Sequence, residues 1–420
     1  MIANPQSKPA ARAIRPLRIA FVAPIFVTED STGGLASYLN KITQALLRAG
    51  HHPEVFVLSW HGPSVIDHNG VMVHRVGHNP TRGWLRWCQW VPNLKGFRQV
   101  REAIQLLTDA RQLALAFEAR DRQAPFDMVQ STDLSATGLS IRPRPGRPHL
   151  VRCSNPIDLY IKADGERLHG PEYRLQLRAV RRAQIAYAPS KFTADYYAHR
   201  LRRTIHVCRP PALIEHDPMP RTIEGLPPRY LFHFGDQLNS RKGTEWIARA
   251  LPLAWKSAPD LKLVIAGRFF DFQFPDLQLL WGRDKDKVIY LGQLSKPDLL
   301  AVLRRARAAV LPSLVDNLPN AVYESLSLGI PVIGTRGASI DELVDDGITG
   351  ELVEPLDLPG LAEKMAACWR GESPVRPGFK WNSPIATLMT PEVAVESLLN
   401  LAGLIPPSEI APAELEEAYA

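Results

Sequence analysis

What most restricts the fold of this 420-residue chain is a grammar that runs twice. Short apolar stretches alternate with longer segments of helical period, and a proline-rich break separates the two runs. Apolar runs too short for a buried helix, each followed by an amphipathic segment, are the signature of βαβ units and a parallel sheet.

The first run opens with Leu17 to Pro24 as a buried strand. Gly33 to Gly50 then reads as a helix closed by a glycine, and a strand begins at Pro53. Further strands are predicted at Val71 to Val76, Phe126 to Gln130, His149 to Arg152, Gln184 to Ala188 and Thr204 to Cys208.

Residues 209–229 carry Pro210, Pro211, Pro218, Pro220, Pro227 and Pro228 with no periodic pattern, as an interdomain linker does. The grammar then restarts with strands at Tyr230 to Gly235, Leu261 to Gly267, Lys287 to Gly292, Ala308 to Ser313, Ile330 to Thr335 and Gly350 to Pro355.

The expectation is an α/β protein of two Rossmann-like, doubly wound domains, 17–208 and 230–385, facing a cleft. A helix in 386–404 and an acidic tail in 405–420 follow, the helix packing back toward the first domain. Ligands of such sheets bind at the carboxyl ends of the strands.

A chain with 45% hydrophobic and 22% charged residues can bury two ordinary cores. Cys88, Cys153, Cys208 and Cys368 stand far apart, which fits reduced thiols in a cytoplasmic protein without structural zinc. The basic N-terminus, with Lys8, Arg12, Arg15 and Arg18, has no apolar run long enough for a signal peptide or membrane span. A net charge of +7 favours an anionic partner without naming one.

Leu311 to Thr335 is the most informative stretch: a strand, a polar loop, a helix and a strand. Asp316 lies in the loop and Glu324, eight residues on, about one turn into the helix. Two carboxylates at a sheet's carboxyl edge can accept from a hexose and from a ribose. The helix start near Asn320 and Ala321 offers free N–H groups to a phosphate, and Asn317, beside Asp316 in the loop, is a further candidate for donor binding. The bland reading makes these ordinary loop polars and a solvated glutamate.

This stretch, DNLPNAVYESLSLGIPV, resembles the E-x7-E block of glycosyltransferase family 4, retaining enzymes of GT-B fold, with Asp316 in place of the first glutamate. By position, the resemblance implies that Asp316 contacts the donor sugar and Glu324 the ribose hydroxyls. It extends from Leu17 to about Arg370.

A second block is Phe234 to Leu251, where Arg241, Lys242 and Gly243 precede a helix. Lys242 matches the family's diphosphate lysine, whereas the family's arginine is replaced by Asp236 and Gln237, leaving Arg241 as a substitute. Gly33 and Gly34 form a third block, where a helix N-terminus of the opposing domain meets the phosphate. The full GxGxxG spacing and an acid after the second strand are both missing, which argues against a nicotinamide enzyme.

Arg178 to Tyr197 is similar to another family block, in which Ser190 reads as a helix N-cap. Many members carry an N-domain histidine near the donor sugar, but here Gln130, Thr132 and Ser154 stand at the corresponding strand ends. Asp133 is then the candidate catalytic carboxylate on that side.

Asp284 and Asp286, the only D-x-D, alternate with lysines and read as a solvated turn, so neither metal nor cofactor is expected. Trp84, Trp87 and Trp90 recur among arginines, as at a lipid headgroup interface, or equally as one helix face packed on a sheet.

The resulting expectation is a retaining hexosyltransferase taking a UDP- or GDP-type donor to a hydroxyl acceptor. The acceptor is a glycan or lipid-linked intermediate, met in the cytoplasm at an acidic membrane face. The alternatives are a GT-B sugar-nucleotide epimerase and a non-catalytic nucleotide-sugar-binding protein. Nucleic acid is not an expected partner.

Overall fold

The computed structural model describes residues 15–29, 33–77, 95–154, 156, 158–160, 171–212 and 223–406. The tryptophan segment around Trp84, Trp87 and Trp90, the middle of the linker, and the tail from 407 lie outside the described residues.

Two parallel sheets organise the chain. The first runs β3-β4-β2-β1-β5-β6-β7-β8 and the second β11-β10-β9-β12-β13-β14. In the first sheet the strands are β1 (Arg18–Ala23), β2 (His52–Ser59), β3 (Ser64–His68), β4 (Val71–Gly77), β5 (Met128–Thr132), β6 (His149–Arg152), β7 (Ile185–Ala188) and β8 (His206–Val207). In the second they are β9 (Leu231–Leu238), β10 (Leu263–Phe269), β11 (Val288–Tyr290), β12 (Ala309–Leu311), β13 (Val332–Thr335) and β14 (Gly350–Val353).

Both orders turn back at one point. Strands β2 to β4 are laid down on one side of β1, and β10 and β11 on one side of β9, and the chain then crosses to the other side with β5, or β12. A crevice opens where the direction of winding reverses, above the carboxyl ends of the two central strands. Whatever follows β1, β5, β9 and β12 therefore faces the two crevices.

β1 and β5 are almost wholly buried because both faces of a parallel sheet are covered by helices. β3 departs from the expected grammar. It pairs antiparallel to β4 at the sheet edge, and its half-exposed Ser-Val-Ile-Asp-His pattern carries no continuous apolar run. β9 continues three residues past Gly235, because a bulge lets Gln237 and Leu238 pair with Arg268 and Phe269. Gly267 makes the bulge possible: at φ +139°, a side-chain carbon there would fall 2.1 Å from the Gly235 carbonyl oxygen.

The helix Pro391–Leu401 leaves the second domain and buries Val395, Leu398 and Leu399 in the first core, beside Tyr38, Leu39, Ile42 and Leu46. Burial of these leucines is worth about 1.5–3 kcal/mol each, so the chain end ties the two domains together. Cys153, Cys208 and Cys368 are free and buried. No helix among the described residues is long and apolar enough to cross a membrane.

Candidate active site

The C-terminal crevice is built from the turns after β9 and β12. His233 in β9 stitches these together, with its Nδ1 2.7 Å from the Val310 carbonyl oxygen and its Nε2 2.8 Å from Thr244 Oγ1. A carbonyl can only accept, so Nδ1 carries the proton and Nε2 accepts from the threonine. Burial lowers the His233 pKa to about 4, which keeps the ring neutral.

The turn after β9 is closed by Asn239, whose side chain accepts from the Lys242 N–H at 2.9 Å. Gly243 ends the turn at φ +77°, and a side-chain carbon there would lie 2.3 Å from the Pro312 carbonyl oxygen. Leu314 N donates to the Arg241 carbonyl at 2.8 Å. The cationic turn is thus pressed against the loop that carries Asp316.

Lys242 Nζ meets Asp316 Oδ2 at 2.5 Å, with the Asp316 side chain 11% exposed. Arg241 turns the other way: its guanidinium lies 4.3 Å from the ring centroid of Tyr160, in the N-terminal domain. Of the two cations, the lysine faces the carboxylate.

Glu324 lies on the helix Asn320–Ser327 and is buried, with Oε1 2.5 Å from Lys296 Nζ and 3.9 Å from Lys41 Nζ. Lys296 opens the helix Lys296–Arg305 after β11, whereas Lys41 reaches over from the helix Gly34–Arg48 of the N-terminal domain. Lys41 also donates to Tyr323 Oη at 2.5 Å, and Tyr323 in turn donates to Asn320 Oδ1 at 2.7 Å. Pro319 gives the helix no side-chain cap, and the Val322 and Tyr323 N–H groups turn back to its carbonyl. Asn320 and Ala321 supply the first two helical N–H groups, which have no intrahelical acceptor by geometry.

Two expectations are corrected. Asn317 does not aim its side chain at the crevice, because its amide is spent on the N-terminal domain, on Cys153, Ser154, Ser190 and Thr193. Asp133 has no exposed surface. Its Oδ1 accepts from Leu134 N and Ser154 N, each at 2.8 Å, and its Oδ2 from Tyr197 Oη at 2.7 Å. A carboxylate so enclosed offers no oxygen to an acceptor in the cleft, and acts as a brace between β5, β6 and the helix Lys191–Leu201.

At the other strand ends, Gln130 Oε1 accepts from Tyr38 Oη at 2.9 Å and Tyr187 Oη at 2.6 Å. Arg152 donates to Ser154 Oγ at 2.6 Å and lies over the Tyr38 ring. Ser190 caps its helix by accepting from Thr193 N. Gly33 and Gly34 precede and begin the first helix with ordinary backbone angles, and among the described residues nothing lies within 4 Å of an added side-chain carbon.

Asp284 pairs with Lys287 at 2.7 Å in a surface 3-10 turn. Among the described residues no group of three or more His, Cys, Asp or Glu side chains could hold a metal.

Residues 228–370, the whole second sheet with its helices, match the family described as Glycosyl transferases group 1. The C-terminal domain is a glycosyltransferase domain. Within the chain, 135 residues are 32% identical to glycogen synthase of Mycobacterium tuberculosis, covering 32% of each protein. The chain therefore spans only about a third of that relative. D-inositol 3-phosphate glycosyltransferase of Arthrobacter sp. is 24% identical over 88% of this chain and 92% of its own length. Among solved structures, Anabaena Alr3699/HepE in complex with UDP and glucose superposes with a TM-score of 0.62 at 15% identity, covering 93% of this chain and all of that one. The fold is GT-B.

Lys41, Lys296 and Tyr323, which complete the surroundings of Glu324 in the glycosyltransferase domain, were not among the residues expected from sequence. Lys296 had a signal in hindsight, a cation at the start of a helix after a strand at the same sheet edge. Lys41 had none, being one of several polar residues on an amphipathic helix.

Proposed function

We propose that the chain is a retaining hexosyltransferase that moves a hexose from a UDP- or GDP-type donor to a hydroxyl acceptor. The observation that carries this is the Lys242–Asp316 pair beside Glu324 at the reversal point of the C-terminal sheet. An incoming diphosphate replaces Asp316 as the partner of Lys242, and the released carboxylate then accepts from a hydroxyl of the hexose. Glu324 accepts from the ribose hydroxyls in place of Lys296. The helix N-terminus at Asn320 and Ala321, with Arg241, adds positive potential for the leaving diphosphate.

The UDP and glucose named for the Anabaena structure support a nucleotide-sugar donor. The D-inositol 3-phosphate named for the Arthrobacter relative supports a hydroxyl acceptor. With Gln130, Thr132 and Ser154 rather than a histidine at the ends of β5 and β6, the diphosphate itself takes the acceptor proton as the new glycosidic bond forms on the face the leaving group departs from. The protein then contributes position and charge stabilisation.

The acceptor is a polysaccharide or lipid-linked intermediate, reached in the cytoplasm at an acidic membrane face. Trp84, Trp87 and Trp90 among arginines support that contact. Liposome flotation with the three tryptophans changed to alanine checks it, and absence of parental binding to anionic vesicles sinks it.

The reaction is tested by incubating the protein with UDP- and GDP-hexoses and following nucleotide release. Release with one nucleotide class, lost in Asp316→Ala, is expected. Epimerisation of the free donor without acceptor, or no turnover of any donor, would contradict the proposal.

A further inference from the structure

The loop that carries Asp316 is held from the opposite domain. The Asn317 Nδ2 donates to the Cys153 carbonyl at 3.2 Å and the Ser154 carbonyl at 3.0 Å. Its Oδ1 accepts from Ser190 Oγ at 3.0 Å and Thr193 Oγ1 at 2.8 Å. Two donations and two acceptances use the full capacity of a side-chain amide. Carbonyls on one side and hydroxyls on the other also leave no ambiguity about which way the amide points.

The same loop is fixed within its own domain. The Asn317 N–H donates to Asp316 Oδ1 at 3.0 Å. Leu318 adopts φ +56°, unfavourable for a leucine, and its N–H is held by Ser339 Oγ at 2.6 Å. Asp316 therefore stands between an ion pair with Lys242 and a neighbour that belongs, by its contacts, to the other domain.

A second contact crosses the junction nearby. Glu342 of the C-terminal domain accepts from the Lys191 and Phe192 N–H groups, both at 2.8 Å, at the start of the helix Lys191–Leu201. It also meets Arg209 Nη1 at 2.6 Å, where the arginine side chain is 2% exposed. A carboxylate on a helix N-terminus with a buried guanidinium is a directional, charge-assisted contact. Both contacts converge on one element of the N-terminal domain, the cap and first turn at Ser190 to Thr193.

We propose that Asn317 and Glu342 form an interdomain latch that positions Asp316 for sugar transfer without either residue touching the donor. The latch rests on the reading of Asp316 as the sugar-contacting carboxylate. Closing the cleft and aiming the carboxylate are then one event, because adjacent residues carry them. Glu324 and Lys242 are carried by other elements, the helix Asn320–Ser327 and the turn after β9, so nucleotide binding and transfer respond differently when the latch is broken.

The test combines small-angle scattering of the free protein, UDP and GDP titration, and steady-state kinetics. In Asn317→Ala the radius of gyration rises, nucleotide affinity stays within about twofold, and kcat falls roughly 10-fold or more, as expected when a reacting group is misplaced rather than removed. Thr193→Val, which deletes one hydroxyl on the far side, lowers kcat in the same sense. The double variant is no worse than Asn317→Ala alone, since both break one network. Glu342→Gln keeps the acceptor oxygen, loses the charge facing Arg209, and falls between parent and Asn317→Ala.

Parental scattering and kcat in Asn317→Ala and Thr193→Val overturn the latch. If Asn317→Ala does not fold, Thr193→Val and Glu342→Gln decide. If the parent binds no nucleotide, the functional reading fails while the scattering still judges the latch.

Discussion

The two reversal points of this molecule share a plan and differ in their contents. Above β12 stand the buried carboxylates Asp316 and Glu324, each paired to a partly exposed lysine, Lys242 from the turn after β9 and Lys296 from the helix after β11. Above β1 and β5 stand Asp133 and Gln130, buried polar groups held by tyrosine hydroxyls and, for Asp133, by backbone N–H groups. Internal ion pairs at the first place can be exchanged for a charged ligand at little cost, because one charge-assisted contact replaces another. At the second, removing a partner strands a buried polar group, which costs about 1–3 kcal/mol. A shared fold thus supports a binding crevice in one domain and a brace in the other.

Breaking each carboxylate in turn gives the largest contrast. Asp316→Ala and Lys242→Ala are expected to lower turnover by about 10²–10³-fold, the usual effect of losing a charge-stabilising group, with little change in melting temperature. Nucleotide release assays and thermal denaturation measure both. Asp133→Ala should do the reverse, lowering stability by about 2 kcal/mol or more through the unpaired donors Tyr197 and Ser154 while nucleotide affinity holds. Equal catalytic losses in Asp133→Ala and Asp316→Ala would erase the distinction.

Gly243→Ala strains the cationic turn without touching a charge. With φ at +77° and the Pro312 carbonyl 2.3 Å from the new carbon, a loss of about 1–3 kcal/mol is expected, read as a lower denaturation midpoint. Its effect on the denaturation midpoint should exceed that of alanine at Gly33 or Gly34, where nothing among the described residues lies within 4 Å.

The last effect concerns pH and touches both domains. Burial lowers His233 and His149 to about 4, below the ordinary 6.5. The unfolded chain therefore binds protons in this range before the folded one does. Stability from these groups is complete above pH 6.5, and falls as the pH drops from 6.5 toward 4. Chemical denaturation from pH 7.5 to 4.5 should show this loss, reduced in His233→Gln. A flat profile would mean that the ring is not held neutral.

Much of this organisation was legible in the chain itself. Strands such as β1 and β5 declared themselves because a parallel sheet buries both faces, leaving continuous apolar runs. β3 did not, since an edge strand reading Ser-Val-Ile-Asp-His has no such run. The helix Lys95–Gln123 was missed as well, its period blurred by the exposed Leu107 and Leu115. Asp316 and Glu324 stood out in one strand-loop-helix unit and Lys242 in another, with their expected roles implied by the resemblance to family 4, because a motif within one unit is local information. Contacts across the domain junction are not. Asn317 looked like a phosphate neighbour from its place in the loop, and only the position of Ser190 and Thr193, more than a hundred residues earlier, gives it another role.

Nucleotide binding to the C-terminal crevice is most directly measured by titrating UDP and GDP, by calorimetry, into the parent protein and into Glu324→Ala. One nucleotide should bind the parent at micromolar affinity, and the variant should bind it at least about tenfold more weakly, the loss of about 1.4 kcal/mol for a ribose contact. No binding by the parent, or equal affinity in the two proteins, would contradict the assignment of this crevice as the donor site.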